Sequence, residues 1–123
     1  MLPVVRYTLS RREKLKSNKK IKELFSKGSN FFIYPIKVIY LPDDTGDSHQ
    51  MLVSVPKRNF KKAKDRNLIK RRIRESYRLN KHSISNESKL NIALIYNARD
   101  ILAFKDIQNK LIRIIRRLNE EPR

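Results

Sequence analysis

Residues 57–81, KRNFKKAKDRNLIKRRIRESYRLNK, constrain the fold more than any other part of the chain. The stretch has no Gly and no Pro, and Phe60, Ala63, Ile69, Ile73 and Tyr77 keep a helical period. At the helical turn angle, Ile69, Ile73, Ser76, Tyr77 and Asn80 fall within one arc of roughly 100°. Asn67, Lys70, Arg71, Arg74, Arg78 and Lys81 fill the adjacent arc. One face can sit on a core, and the next is nearly all cation and amide. The stretch holds twelve of the thirty Lys and Arg residues but only two acids, Asp65 and Glu75. Like charges this crowded destabilise a helix unless an anion neutralises them, because few i,i+4 pairs of opposite sign are available. The alternative is a solvated basic face. The purity of this face, with an amide among its cations, favours a polyphosphate partner.

The whole chain carries the same bias. It has 123 residues and a net charge of +18, which suits one domain, 1–123, with a nucleic acid or acidic membrane surface as partner. Its hydrophobic content of 39% is enough for one modest core and too much for a disordered basic tail. It has no cysteine, so disulfides and cysteine-ligated zinc are excluded and an intracellular, cytoplasmic home is expected. No apolar run approaches the ~18 residues of a membrane span. The N-terminus does not read as a signal peptide.

Around the basic helix the chain divides into short elements. Residues 1–16 are basic, irregular and expected to be flexible, with Leu9 and Leu15 as anchors. Ser17 or Asn18 can cap a helix over 18–27, whose apolar side is Ile21, Leu24 and Phe25, and Gly28 is placed as its stop. Residues 30–41 favour strand, but Pro35 forbids a central ladder position there, so two short strands or one bent edge strand follow. A polar loop at 42–50 leads to a strand over 51–56. Pro56 releases the chain into the basic helix, with Asn59 as the expected cap. Residues 90–97, LNIALIYN, read as a strand buried on both faces. A final helix over about 103–119 turns Phe104, Ile107, Leu111, Ile114, Ile115 and Leu118 inward and Lys105, Lys110, Arg113, Arg116 and Arg117 outward. The order α-β-β-β-α-β-α gives an α+β fold: a small two-layer sandwich with a four-stranded sheet and a basic crossover helix.

No catalytic constellation is visible. Asp43, Asp44 and Asp47 could together hold Mg²⁺ or Ca²⁺, but the spacing is not that of an EF-hand loop and a polar turn explains them equally well. His49 and His82 have no neighbouring ligand set. With Gly28 and Gly46 as its only glycines, the chain has no phosphate-binding glycine loop. Aromatics cluster instead: Phe25, Phe31, Phe32, Tyr34 and Tyr40 can supply core, or can stack unpaired bases where cations flank them.

The segment AKDRNLIKRRIRESYRL, beginning at Ala63, resembles the signature of the protein component of bacterial ribonuclease P: Arg-Asn, two residues, Lys-Arg, two residues, Arg-Glu. VSVPKRNFKKA before it resembles that family's passage from strand to helix, and RREKLKSNKKIKELFSKG is similar to its N-terminal helix. The likeness spans essentially the whole chain.

The resemblance implies a ribonucleoprotein endonuclease that removes the 5′ leader of precursor tRNA. The RNA subunit would perform the hydrolysis with Mg²⁺. The protein would bind that RNA and the leader, one protein per RNA. It also implies RNA-subunit contact by Arg66, Asn67, Lys70, Arg71 and Arg74, with Arg58 and Lys62 as flanking cations and Arg78 in the same cationic arc. Arg66 and Lys70 are expected to point off the core.

A leader cleft beside the N-terminal helix is implied, with Phe25 matching one of its aromatics. Ile21 stands where many members carry Phe, and Ile39 where some carry Tyr, so Phe32, Tyr34 or Tyr40 would supply the stacking. Tyr96 stands where many members carry Arg. A left-handed β-α-β crossover is also implied, against the general rule. A general RNA-binding module and a stand-alone nuclease using the Asp43 cluster are the competing readings.

Overall fold

The computed structural model describes residues 8–122. Its regular elements are α1 (Asn18–Lys27), β1 (Ser29–Ile33), β2 (Ile36–Pro42), β3 (Gln50–Ser54), α2 (Ala63–Asn80), β4 (Leu90–Tyr96) and α3 (Phe104–Glu120). Short 3-10 turns cover Arg11–Glu13 and Lys81–Ser83. The order is the one the sequence predicts. The sheet order is β1-β2-β4-β3, with β3 parallel to β4 and the other neighbours antiparallel. The basic helix α2 is therefore the crossover between two parallel strands. Pro35 sits in the turn that splits 30–41 into the hairpin β1-β2. β4, paired on both sides, is buried along nearly all its length.

Strand alternation divides the core into two. Ile36, Val38 and Tyr40 of β2, Leu90, Ile92, Leu94 and Tyr96 of β4, Met51 of β3 and Phe31 of β1 pack with α2 and α3. The helices supply Ile69, Ile73 and Tyr77, and Ile107, Leu111, Ile114, Ile115 and Leu118. The predicted apolar arc of α2 is thus the buried one, and the predicted inner face of α3 is buried too, apart from half-buried Phe104. These two helices and the sheet are the two layers of the sandwich. The opposite face holds a smaller cluster of Leu15, Leu24, Ile39 and Ala93, covered by α1 and by Leu15 of the segment before it.

Ser17 is the cap of α1, its Oγ accepting from the Lys20 N–H at 3.3 Å. Gly28 ends α1 in an extended conformation rather than a left-handed one. Its requirement is space: a Cβ there would lie 2.4 Å from the Leu24 carbonyl oxygen and 2.8 Å from Ile39 Cγ2.

Two expectations change. The basic stretch is not helical from its start. Phe60 is buried against Tyr96, with ring centroids 5.9 Å apart, and this holds 57–62 as a turn. Asn59 is not the cap; its N–H donates to the Pro56 carbonyl, and Lys62 occupies the cap position without a side-chain bond. Of residues 1–16, the first seven lie outside the described residues. From Thr8 on the segment is held to the fold: Leu15 is buried, its N–H donates to the Met51 carbonyl at 2.9 Å, and Lys81, just past the end of α2, bonds both the Thr8 carbonyl and the Glu13 carboxylate.

Candidate nucleic-acid interface

The outward face of α2 is a rigid array of cations. Ile69 and Ile73 are fully buried and Tyr77 nearly so. Ser76 Oγ donates to the Arg72 carbonyl, and Asn80 Nδ2 to the Ser76 carbonyl, so the polar members of the buried arc are satisfied within the helix. The adjacent arc is thereby fixed in direction. Asn67, Arg71 and Arg74 are exposed and Lys70 is half-buried, with exposed Arg58 and Lys62 on the preceding turn. None of these six side chains makes a hydrogen bond or ion pair among the described residues.

Two of the predicted contact residues also have structural partners. Arg66 turns its guanidinium back: Nη1 donates to the carbonyls of Phe60 at 2.7 Å and Lys61 at 2.9 Å. It locks the 57–62 turn onto the helix, so a side chain expected to point off the core is also committed to backbone carbonyls. Arg78 forms a two-pronged pair with Glu75 one turn back, at 3.2 and 2.8 Å, which also holds the Glu75 carboxyl below its ordinary value. Arg72, on the flank of the helix, donates to the Leu102 carbonyl at 2.6 Å. With Tyr96, whose hydroxyl donates to the Asp100 carbonyl and accepts from the Leu102 N–H, it pins the loop before α3. Tyr96 is therefore a structural residue, and burial raises its hydroxyl pKa.

Sequence reasoning missed the N-terminal segment as part of this surface. Leu9, Lys14, Leu15 and Lys16 meet Met51–Val53 of the edge strand β3 and Arg74 of α2 around a groove of about 320 Å³. The signal was the pair of isolated leucines in a basic segment, which anchor Lys14 and Lys16 beside Arg74.

The α1 side of the sheet is a different kind of surface. Two neighbouring rows of the strand register matter on it. Ile39, Ala93 and Leu52 form one, and α1 packs on it through Leu24 and half-buried Ile21. Phe32, Lys37, Ile95 and Ser54 form the next, running from edge strand to edge strand. This second row is open: Phe32 is 52% exposed, Lys37 is exposed, and Ile95 and Ser54 are half-buried. Phe25 on α1 and Tyr34 beyond the end of β1 are also exposed, and the Tyr34 ring meets Phe32 edge-on at 6.3 Å. So Ile21, Phe25, Phe32 and Ile39 share one side of the sheet, Ile21 and Ile39 as packing residues and the two phenylalanines as exposed rings.

Tyr40 does not join them. It lies on the opposite face, buried against Phe31, and its hydroxyl donates to Glu121 Oε2 at 3.2 Å. Burial, and then that carboxylate, raise its pKa. The physical reason is strand alternation: Ile39 and Tyr40 are neighbours, so only one can face α1.

The acidic loop is a turn. The Asp43 carboxylate accepts from the Thr45 hydroxyl at 2.6 Å and N–H at 3.0 Å, from Asn91 at 3.2 Å, and pairs with Lys20 at 2.9 Å. The Thr45 hydroxyl above all, then Lys20, hold its pKa well below the usual carboxylate range. Its oxygens are committed to these partners, and no group of three or more His, Asp or Glu is placed to share a metal among the described residues. The residues present do not fit a Mg²⁺ centre built by the protein alone.

Fold and site together define a small α+β protein with one rigid polycationic helix face and one open, aromatic sheet face. The profile of the Ribonuclease P family matches residues 9–119, and the chain belongs to that family. It is 31% identical over 118 residues to the ribonuclease P protein component of Petrotoga mobilis, covering 90% of this chain and 95% of that one. It is 40% identical over 84 residues to the Porphyromonas gingivalis component, a match spanning 64% of this chain and 59% of that relative's length. In fold it resembles the ribonuclease P proteins of Thermotoga maritima, with a TM-score of 0.73 at 23% identity over 85% of this chain and 96% of that one. The Staphylococcus aureus protein gives 0.72 at 24% identity, over 85% and 93%. No helix of the described residues is long and apolar enough to cross a membrane.

Proposed function

We propose that this chain is the protein subunit of a ribonuclease P ribonucleoprotein and promotes removal of the 5′ leader from precursor tRNA in the cytoplasm. The observation that carries this reading, beside family membership, is the division of labour on α2. Its apolar arc is locked into the core, while Asn67, Lys70, Arg71 and Arg74 stand together without protein partners among the described residues. Folded RNA is the polyanion that suits them. Lys and Arg neutralise phosphates and release counterions, so affinity falls steeply with salt. Asn67 can donate to and accept from a base edge or a 2′-hydroxyl, which a bare charge cannot do.

The open sheet row suits the leader. Phe25 and Phe32 offer faces on which unpaired bases stack, and Lys37, the register partner of Phe32 on β2, is exposed to meet a phosphate. Stacking is indifferent to sequence, as leader binding across many tRNAs requires. Hydrolysis and the Mg²⁺ that supports it belong, in this reading, to the RNA subunit, with one protein per RNA. The chain's own residues bind, orient and screen the repulsion between two RNAs.

Cleavage of a precursor tRNA at low Mg²⁺ by the cognate RNA subunit, with and without the protein, tests the proposal. Correct 5′ cleavage restored by a protein that is inert alone is the expected result. Binding without rescue reduces the chain to a general RNA-binding module. Cleavage by the protein alone, lost on mutating Asp43, Asp44 and Asp47, replaces the proposal with a protein nuclease.

A further inference from the structure

We propose that single-stranded RNA lying on the open sheet row continues over the outer edge of β1 and is held there by Arg113 and Arg116 of α3. This deepens the leader reading above and rests on it. Among the described residues β1 pairs only with β2, so its other edge meets no strand there. At that edge Phe32, Ile33, Arg113, Arg116, Arg117 and Glu120 line a groove of about 300 Å³. Phe32 belongs to both surfaces, since it ends the open row on one side of the sheet and lines this groove at the edge. The two surfaces are therefore continuous.

The cations in the groove are not equivalent. Arg117 is committed to the fold: its guanidinium lies 5.0 Å from the Phe31 ring centroid and its Nε donates to Glu121. Arg113 and Arg116 are exposed and make no hydrogen bond or ion pair among the described residues. They sit one helical turn apart on a face that α3 does not use for packing. Two unpartnered arginines beside an exposed phenylalanine form the pairing of phosphate neutralisation and base stacking that binds unpaired RNA.

The direction follows from the other end of the row. Ser54 lies on the β3 edge, and the chain runs from it into the turn that carries Lys57 and Arg58 before α2. A strand anchored at the α2 end has its remaining length directed toward β1.

The test is a reconstituted holoenzyme carrying Arg113→Gln with Arg116→Gln. It is assayed on two precursors of the same tRNA, with leaders of roughly four and roughly twelve nucleotides. The expected result is a loss of roughly 3–10-fold in affinity for the long-leader precursor, with its salt slope reduced by about 1.4 for two lost single-strand phosphate contacts. The short-leader precursor and the RNA subunit should bind as before. Arg113→Glu with Arg116→Glu should enlarge the same selective loss. If the reversed charges unfold the chain, the neutral pair decides.

Equal losses on both leaders, weaker binding of the RNA subunit, or no change at all each overturn the inference while leaving the proposed function standing. A wild-type holoenzyme that does not cleave either precursor removes the proposed function, and this inference with it.

Discussion

The two faces of the sheet are built from the same strands and serve opposite purposes. Toward α2 and α3, Ile36, Val38 and Tyr40 of β2 and Leu90, Ile92, Leu94 and Tyr96 of β4 are buried, and two helices close the layer. Toward α1, a single helix covers one row and leaves the next open, with Phe32 half-exposed and Lys37 in solvent. The closed face can supply most of the hydrophobic stabilisation a small domain needs, which frees the open face to carry exposed rings that contribute little to folding. The same contrast recurs within α2, where adjacent arcs of one helix belong to the core and to solvent.

The sharpest way to break this contrast is to truncate on the closed face. Ile73→Ala, at a fully buried site between α2 and the sheet, should lower unfolding free energy by about 3–4 kcal/mol in chemical denaturation. Should Phe32→Ala cost as much, the division between faces is wrong.

Within α2, Arg66 and Lys70 separate structure from binding. Arg66→Ala removes two charge-assisted bonds to the 57–62 turn and should cost about 1–2 kcal/mol of stability as well as RNA affinity. Lys70→Ala should weaken binding to the RNA subunit with stability within about 0.5 kcal/mol of wild type. A folded, fully stable Arg66→Ala protein that binds normally would falsify the assignment of Arg66 as the lock on that turn.

On the loop between β2 and β3, Asp43→Asn should cost about 1 kcal/mol at neutral pH. The folded pKa of Asp43 is depressed, so its contribution is present above the unfolded carboxylate pKa and is lost as pH falls through the lower folded value. The gap between wild type and variant should therefore close in acid, below about pH 4. A gap independent of pH would show that shape, not charge, matters there.

The smallest effect on stability, and the one that most sharpens the contrast, belongs to the open face. Phe25→Ala and Phe32→Ala should each change unfolding free energy by no more than about 0.5 kcal/mol. Both should reduce the preference for precursor over mature tRNA in the holoenzyme. Loss of stability without loss of preference would make these rings core, not platform.

Much of this is legible in the sequence. The element order, the buried arc of α2, the inner face of α3, the burial of 90–97 and the hairpin broken at Pro35 all follow from local rules: helical period, strand composition and the missing proline N–H. Local rules fail where a side chain's direction depends on a distant partner. Arg66 and Arg71 look alike in the sequence. Only the carbonyls that the buried Phe60 turn presents make Arg66 a lock and leave Arg71 in solvent. Tyr40 groups with the exposed aromatics by composition, but alternation with Ile39 puts the two on opposite faces, and Tyr40 takes the buried one.

The amino-acid sequence by itself determined the fold class, the cationic character and which arc of α2 faces the core, because each is set by the spacing of residue types along a regular element. Tertiary structure alone decided which face of the sheet stays open, which arginines are committed, and that Phe32 meets Arg113 and Arg116 across the β1 edge. Those facts depend on strand order and register, which bring together residues some eighty positions apart, and no local periodicity encodes such a meeting.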